Sequence, residues 1–493
     1  MEERGKEKVL EAIALLEQRE DILYACPDYI FSVQADEGRS IPDNAHWDPE
    51  EVINLLDAQN MVYNGDPVVV GVLDTGIDAQ HSDLAQKVDR QLSKNFVTHT
   101  TAKEDGTIIQ EANIDPCTDL HGHGTHVAGI IAETAGNVSL ISLRVLDSHK
   151  DGYSSALIAA LDYVMNVLPY HAEKPTMIPI LNFSGAYSLS DAGEISELYD
   201  KIPRYWGLFV CGAGNNNQKL KSYGSGGSGL LLYPASFNFV EDDRMIVVGA
   251  SNQADNGLWT GTSGSGSNYG QSTVDIFAPG DNILSCYPED LCDDPLHDEE
   301  KHHSTGYHYM SGTSMATPYV TGVAALIMSI HPSKSAADIK TLIINNDDNK
   351  SWLTGECVSG GRLNAYKALD ASHTYIVWST NSYGCISYRC TECEYVKTVH
   401  PQPLLTQPND SSTHFHLCPG CGYQTEESHT WGGWANYNAL CHRRVCTVCG
   451  YEDLQKHFYL PGDTTRTCRI CHRSDIIPGD GILSIHGEEE LPV

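Results

Sequence analysis

The sequence predicts an α/β domain, a mostly parallel sheet flanked by helices, followed by a small Cys/His-rich repeat module. Three observations predict it. Short apolar runs alternate with helical patterns from Pro67 to Asp370, the order that builds parallel strands joined by crossovers. The first run, Pro67–Leu73, is apolar throughout, as in a strand buried on both faces. Ten of the 16 cysteines lie beyond residue 371, which marks a separate module.

The elements follow in order. Lys8–Leu16 carries Val9, Ile13 and Leu16 at helical spacing. Ile22–Tyr24 and Tyr29–Val33 predict strands broken by Cys26-Pro27-Asp28. Glu37–Asp48 is a polar loop, and Glu50–Ala58 predicts a helix. After the Pro67–Leu73 strand come helix Gly124–Ala135, strand Leu140–Leu146, helix Ser154–Leu168 and strand Ile178–Phe183. Strands Leu208–Gly212, Met245–Gly249 and Val274–Phe277 follow, then the strongly apolar helix Thr317–Ser329. Gly360–Asp370 closes the region with a helical turn, and the composition changes near residue 371.

Charge narrows the partners. The 31 basic and 65 acidic residues give a net charge of −34, which argues against nucleic acid or an anionic membrane as the main partner. No run of about 18 apolar residues occurs, so no transmembrane helix is expected. The charged segment Met1–Lys8 has no signal-peptide core.

Three motifs carry chemistry. A serine hydroxyl becomes a nucleophile when a histidine takes its proton and a carboxylate orients that histidine. Asp74 ends the buried strand in Val72-Leu73-Asp74-Thr75-Gly76, so its carboxylate is held rigidly. His123 lies in His121-Gly122-His123-Gly124-Thr125-His126, where small neighbours admit a substrate and a helix follows. The spacing of His121, His123 and His126 does not put them on one helical face, which disfavours a metal site. Ser314 lies in Gly312-Thr313-Ser314-Met315-Ala316, at the start of the apolar helix. There its backbone N–H and the helix dipole face a developing negative charge. Singly, these residues are a strand-end aspartate, a loop histidine and an N-cap serine; their coincidence is the signal.

In the order Asp, His, Ser, the motifs resemble the subtilisin family of serine peptidases. The resemblance spans about residues 46–370 and implies a subtilisin-like fold and serine endopeptidase activity through an acyl-enzyme, with no catalytic cofactor. It implies that Ser184 and Gly185, in Leu181–Gly185, bind an extended polypeptide substrate, with Gly152 on the opposite wall. It likewise implies Asn215, after Cys211–Gly214, as oxyanion donor and Gly214 as a substrate contact. Residues 1–36, with the Pro27-Asp28-Tyr29 turn, resemble the end of an inhibitor-like propeptide, a transient partner of its own enzyme. A whole propeptide is longer, so the sequence is expected to be truncated at its start, and a secreted or cell-surface monomer is expected. Asp83 matches an aspartate that often binds calcium in the family. The short segment Ala132–Leu140 lacks the loop supplying the other ligands, which leaves calcium open. The insertion between Ser285 and Tyr307, with Cys286 and Cys292, reads as a solvated acidic loop; a metal or a small disulfide loop is the alternative.

The C-terminal module repeats every 28 residues or so. Its Cys-x-x-Cys pairs are Cys390/Cys393, Cys418/Cys421, Cys446/Cys449 and Cys468/Cys471, and His373, His400, His429 and His457 recur in step. Two thiolates on a tight turn with a histidine nearby suit zinc. On this reading His400, His429 and His457 complete the pairs, and disulfides are the alternative in a secreted protein. A second function class also follows: a catalytically silent scaffold of the same fold, acting through these repeats.

Overall fold

The structure, a computed structural model, describes residues 49–400 apart from short breaks, together with parts of 8–37 and the strands of 405–476. Its central sheet has nine strands: β1 (Val68–Asp74), β2 (Lys94–Asn95), β3 (Val138–Arg144), β4 (Ile180–Phe183), β5 (Leu208–Gly212), β6 (Met245–Ser251), β7 (Ile276–Pro279), β8 (Asp348–Asn349) and β9 (Gly361–Arg362). Their spatial order is β8-β9-β7-β6-β5-β4-β1-β3-β2. All neighbours are parallel except the edge pair β8–β9.

The two faces of β1 sort its side chains by alternation. Val70 and Val72 join one core layer with helix α1 (His123–Ala135) and helix α2 (Thr313–Ile330). Leu73 joins the other with Ile141, Leu143, Leu181 and Phe209. Helix α2 is long and apolar enough to cross a membrane, yet it is buried along its whole length and forms the centre of the first layer. That burial is why it needs no polar face.

Strand order reverses at β1. The chain places β2 and β3 on one side of it and then returns to lay β4 and β5 on the other. Connections leaving the sheet there diverge, and a crevice opens at the carboxyl ends of the strands. Asp74 is the last residue of β1, Ser184 follows β4 directly, and Asn215 lies just beyond β5.

Some boundaries differ from expectation. The helix expected at Glu50–Ala58 is two short helices, Pro49–Val52 and Leu55–Gln59, broken where Asn54 takes a left-handed conformation with φ 55°. The expected Ser154–Leu168 helix runs regularly to Asp162 and continues as a π turn over Tyr163–Val167. The expected Val274–Phe277 strand is shifted to Ile276–Pro279.

The chain divides into two compact units: residues 1–374 with 391–395, and residues 375–390 with 396–493. The second holds antiparallel hairpins in succession. Ile386–Cys390 pairs with Val396–Val399, Thr413–Leu417 with Gln424–Ser428, Cys441–Val445 with Glu452–Lys456, and Thr465–Thr467 with Ser474–Ile476. The first strand of each of these hairpins ends at or directly before the first cysteine of a pair, so the sequence repeat is a repeat of hairpins.

Candidate active site

The carboxylate of Asp74 is buried at the end of β1. Its Oδ1 accepts from the Thr75 N–H at 2.8 Å and from His123 Nδ1 at 2.7 Å. A carboxylate only accepts, so the neutral His123 ring carries its proton on Nδ1 and its lone pair on Nε2. Nε2 is buried and has no hydrogen-bond partner among the described residues.

His123 opens helix α1, and Asp119 fixes that opening. The Asp119 carboxylate accepts from the backbone N–H groups of His121 (3.0 Å), Gly122 (2.9 Å) and Thr125 (2.9 Å). It also accepts from the hydroxyls of Thr125 (2.7 Å) and Thr75 (2.9 Å). One buried carboxylate thus takes the Thr125 N–H of the first turn and the two N–H groups just ahead of the helix, and ties them to Thr75, whose hydroxyl accepts from the Gly124 N–H at 3.0 Å. Gly122 has φ 94°, and a Cβ there would lie 2.1 Å from Tyr287 Cε2. Only glycine lets the Tyr287 ring cover this turn.

Ser314 is the second residue of α2. Its hydroxyl donates to the Ser184 carbonyl at 3.0 Å, and the Ser184 hydroxyl donates back to the Ser314 carbonyl at 2.9 Å. Pro318 explains the second bond. The Ser314 carbonyl would take the helical N–H of residue 318, and proline has none; Ser184 supplies the missing donor. Asn182 Nδ2 donates to the Ser184 hydroxyl at 3.0 Å, and Thr321 donates to Asn182 Oδ1 at 2.7 Å.

Asn215 Oδ1 accepts from the Thr313 N–H at 3.0 Å and the Thr313 hydroxyl at 2.9 Å. Those two donors orient the carboxamide with Nδ2 turned the other way, beside Gly312, where a Cβ would stand 2.9 Å from Nδ2. Gly214 donates its N–H to the Thr313 hydroxyl at 3.1 Å and accepts from the Asn268 N–H at 2.9 Å, so its backbone groups serve the scaffold.

Gly152 lies in the strand Asp151–Tyr153, which pairs antiparallel with Ile30–Ser32: Ile30 faces Tyr153, Phe31 faces Gly152 and Ser32 faces Asp151. Asp36–Glu37 pairs with Met310–Ser311, just ahead of α2. The chain near its N-terminus therefore pairs with segments on both sides of the crevice. The wall carrying Gly152 is anchored from below. Arg144 is fully buried, donates to the Thr75 carbonyl at 2.9 Å and pairs with Glu111 at 2.5 Å. Glu111 also accepts from Ser148 and Thr101. Burial alone would raise its carboxyl, but the bonds from Ser148, Thr101 and Arg144 and the Arg144 charge together hold it below the ordinary value.

A model of the subtilase family matches residues 65–366. The chain belongs to the subtilase family. Thermitase of Thermoactinomyces vulgaris is 31% identical over 321 residues, 62% of this chain and 90% of thermitase. A cell wall-associated protease of Bacillus subtilis is 29% identical over 308 residues, 60% of this chain and 27% of that protein. The major intracellular serine protease of Bacillus subtilis is 30% identical over 274 residues, 54% of this chain and 69% of that protein. As a subtilase the chain is a serine protease and needs no cofactor for catalysis.

In this subtilase, Asp74 and His123 are bonded to each other, and Ser314 is bonded to Ser184. Sequence reasoning overlooked Asp119, the Ser184–Pro318 relation and the Arg144–Glu111 pair. The aspartate four residues ahead of His123 and the proline four beyond Ser314 were the available signals. In the C-terminal repeats the histidine facing Cys393 is His373, Nδ1 to Sγ 3.4 Å. His400, expected there, instead faces Cys385 at 3.4 Å, because the hairpin pairs Ile386 with Val399 and returns the chain to Cys385. Cys390 closes the strand Ile386–Cys390. The expected ligands Cys418, Cys421, His429, Cys446, Cys449, His457, Cys468 and Cys471 lie outside the described residues. Cys286 is a free thiol.

Proposed function

We propose that this subtilase is an endopeptidase that cuts extended polypeptides with Asp74, His123 and Ser314 as its triad and Asn215 as oxyanion donor. The buried 2.7 Å contact between Asp74 and His123 Nδ1 carries the reading, because it leaves the basic nitrogen Nε2 for the serine. The Ser314 hydroxyl turns from the Ser184 carbonyl to His123 and attacks the substrate carbonyl as Nε2 takes its proton. The oxyanion forms against the Asn215 amide and the Ser314 N–H. His123 returns the proton to the leaving amine, and water then hydrolyses the acyl-enzyme by the same path.

Ile30–Ser32 and Asp36–Glu37 act as an intramolecular inhibitor, since their pairings with Asp151–Tyr153 and Met310–Ser311 occupy the edges a substrate needs. The enzyme frees its cleft by cutting this segment away. Zinc sits on the hairpin turns of the C-terminal repeats, a reading supported by His373 facing Cys393. The setting is secreted or cell-surface, as the name of the cell wall-associated relative suggests; activity confined to the cell interior would instead match the intracellular one.

The test is casein hydrolysis together with fluorophosphonate labelling of the full chain and of Ser314→Ala. Labelling at Ser314, loss of both signals in the variant, and an N-terminus in the active chain trimmed relative to Ser314→Ala are expected. Equal behaviour of the two proteins would leave only the scaffold function. Fewer than one zinc per chain, by elemental analysis of reduced protein, would remove zinc from the repeats.

A further inference from the structure

A second constellation lies apart from the triad. A ring nitrogen of His81, a carboxylate oxygen of Asp83 and the thiol of Cys286 all lie within 4.8 Å of one another. They come from two distant pieces of chain, the turn after β1 and the strand Ile283–Cys286. His81 and Cys286 are buried, while Asp83 reaches the surface.

Each group is oriented by a neighbour. His81 Nε2 meets the Gly306 carbonyl at 2.8 Å. A carbonyl only accepts, so the ring proton is on Nε2 and the lone pair on Nδ1, which among the described residues meets the Asp83 N–H at 3.3 Å. A histidine that binds a metal through one nitrogen characteristically gives its other N–H to such a carbonyl. The Tyr307 hydroxyl donates to Asp83 Oδ2 at 2.5 Å, and the Tyr307 ring stands edge-on to His81 at 5.2 Å between centroids. Asp83 and Cys286 also line a cavity of about 660 Å³ with Lys87, Glu133, Tyr309 and Tyr319. That cavity offers an entry path and room for a water ligand.

We propose that His81, Asp83 and Cys286 form a site for one zinc-class divalent ion, with its fourth position open to the cavity. The donor set selects the ion. Imidazole, carboxylate and thiolate suit tetrahedral Zn²⁺ or Co²⁺, whereas Ca²⁺ takes six to eight oxygens. Tetrahedral bonds of about 2.0–2.3 Å set ligand atoms about 3.3–3.5 Å apart, so groups within 4.8 Å of one another need to close by up to about 1.5 Å. On binding, the metal–sulfur bond forms as the Cys286 S–H bond breaks, and the proton leaves to water. The site also touches the enzyme's working parts. Cys286 precedes Tyr287, whose ring covers Gly122 and whose hydroxyl donates to the His121 carbonyl at 3.0 Å. A bound ion therefore holds the lid of the turn that carries His123.

The experiment counts metal and does not depend on activity. Full-length Ser314→Ala protein, reduced and stripped of metal, is titrated with Co²⁺ and then Zn²⁺, followed by the cobalt–thiolate absorbance and by bound metal per chain. The same protein carrying Cys286→Ser or His81→Asn is expected to bind one equivalent fewer, with metal in the C-terminal repeats unchanged. Asp83→Asn, a surface change that keeps the Tyr307 bond, is expected to weaken that one equivalent at least tenfold. It decides the matter should both buried variants fail to fold. Unchanged stoichiometry in a folded Cys286→Ser or His81→Asn protein, or unchanged affinity in Asp83→Asn, overturns the site.

Discussion

Replacing Asn215 by aspartate separates catalysis from architecture in this enzyme. The carboxamide has two tasks on opposite sides. Oδ1 holds the start of α2 through the Thr313 N–H and hydroxyl, and Nδ2 is the proposed oxyanion donor. Aspartate keeps an oxygen for both Thr313 bonds and puts a second oxygen where the donor stood. Both bonds to Thr313 therefore survive, and the melting temperature is expected to stay within a few degrees. The transition state loses one donor, which costs about 100- to 1000-fold in kcat, or roughly 3–4 kcal/mol. The new carboxylate repels the developing oxyanion, which places the loss at the upper end of that range. KM for a peptide anilide should change little, because the lost interaction exists only in the transition state. The assay is kcat and KM normalised to active sites titrated with a fluorophosphonate. A folded Asn215→Asp enzyme with kcat within tenfold of the parent would refute the oxyanion assignment.

Four further outcomes follow. Asp74→Asn should leave the fold intact but reverse the His123 tautomer, lowering kcat by about 10⁴, read by the same titrated assay. Ser184→Ala strands the Ser314 carbonyl and should destabilise by about 1–3 kcal/mol in urea unfolding; adding Pro318→Ala, which restores a helical donor, should recover part of that loss in a double-mutant cycle. Gly122→Ala forces a left-handed residue against the Tyr287 ring and should cost about 1–3 kcal/mol together with activity, measured by thermal melting and casein hydrolysis. His126 is buried and donates to the Ile283 and His308 carbonyls, and burial holds its imidazole down to about 3. Folded His126 stays neutral while the unfolded chain takes up a proton, so its contribution is whole above about pH 6.5 and drains away as pH falls toward 3. His126→Gln should flatten stability over that window, seen as a shallower pH dependence of the urea midpoint.

What the sequence carried was local chemistry and periodicity. The apolar run before Asp74, the glycines around His123 and the serine heading an apolar helix were legible because each motif is contiguous. The fold class was legible for the same reason, as a strand buried on two faces must be apolar at every step. Helix breaks were less so: Asn54 interrupts a helical pattern through a backbone angle that composition does not encode. The repeat period located the hairpins but not the partner of each cysteine. His373 takes the place expected of His400 because strand register decides which histidine returns to which thiol.

The residues of the proposed triad were thus written in the sequence, while their placement was set by contacts between distant segments. Asp119 reaches Thr75 across 44 positions, Ser184 answers a proline 134 positions away, and His81 meets Cys286 only because the turn after β1 packs against the end of the strand Ile283–Cys286. Such contacts depend on which side of β1 each later strand is laid, and the reversal of strand order at that point is a property of the packed sheet.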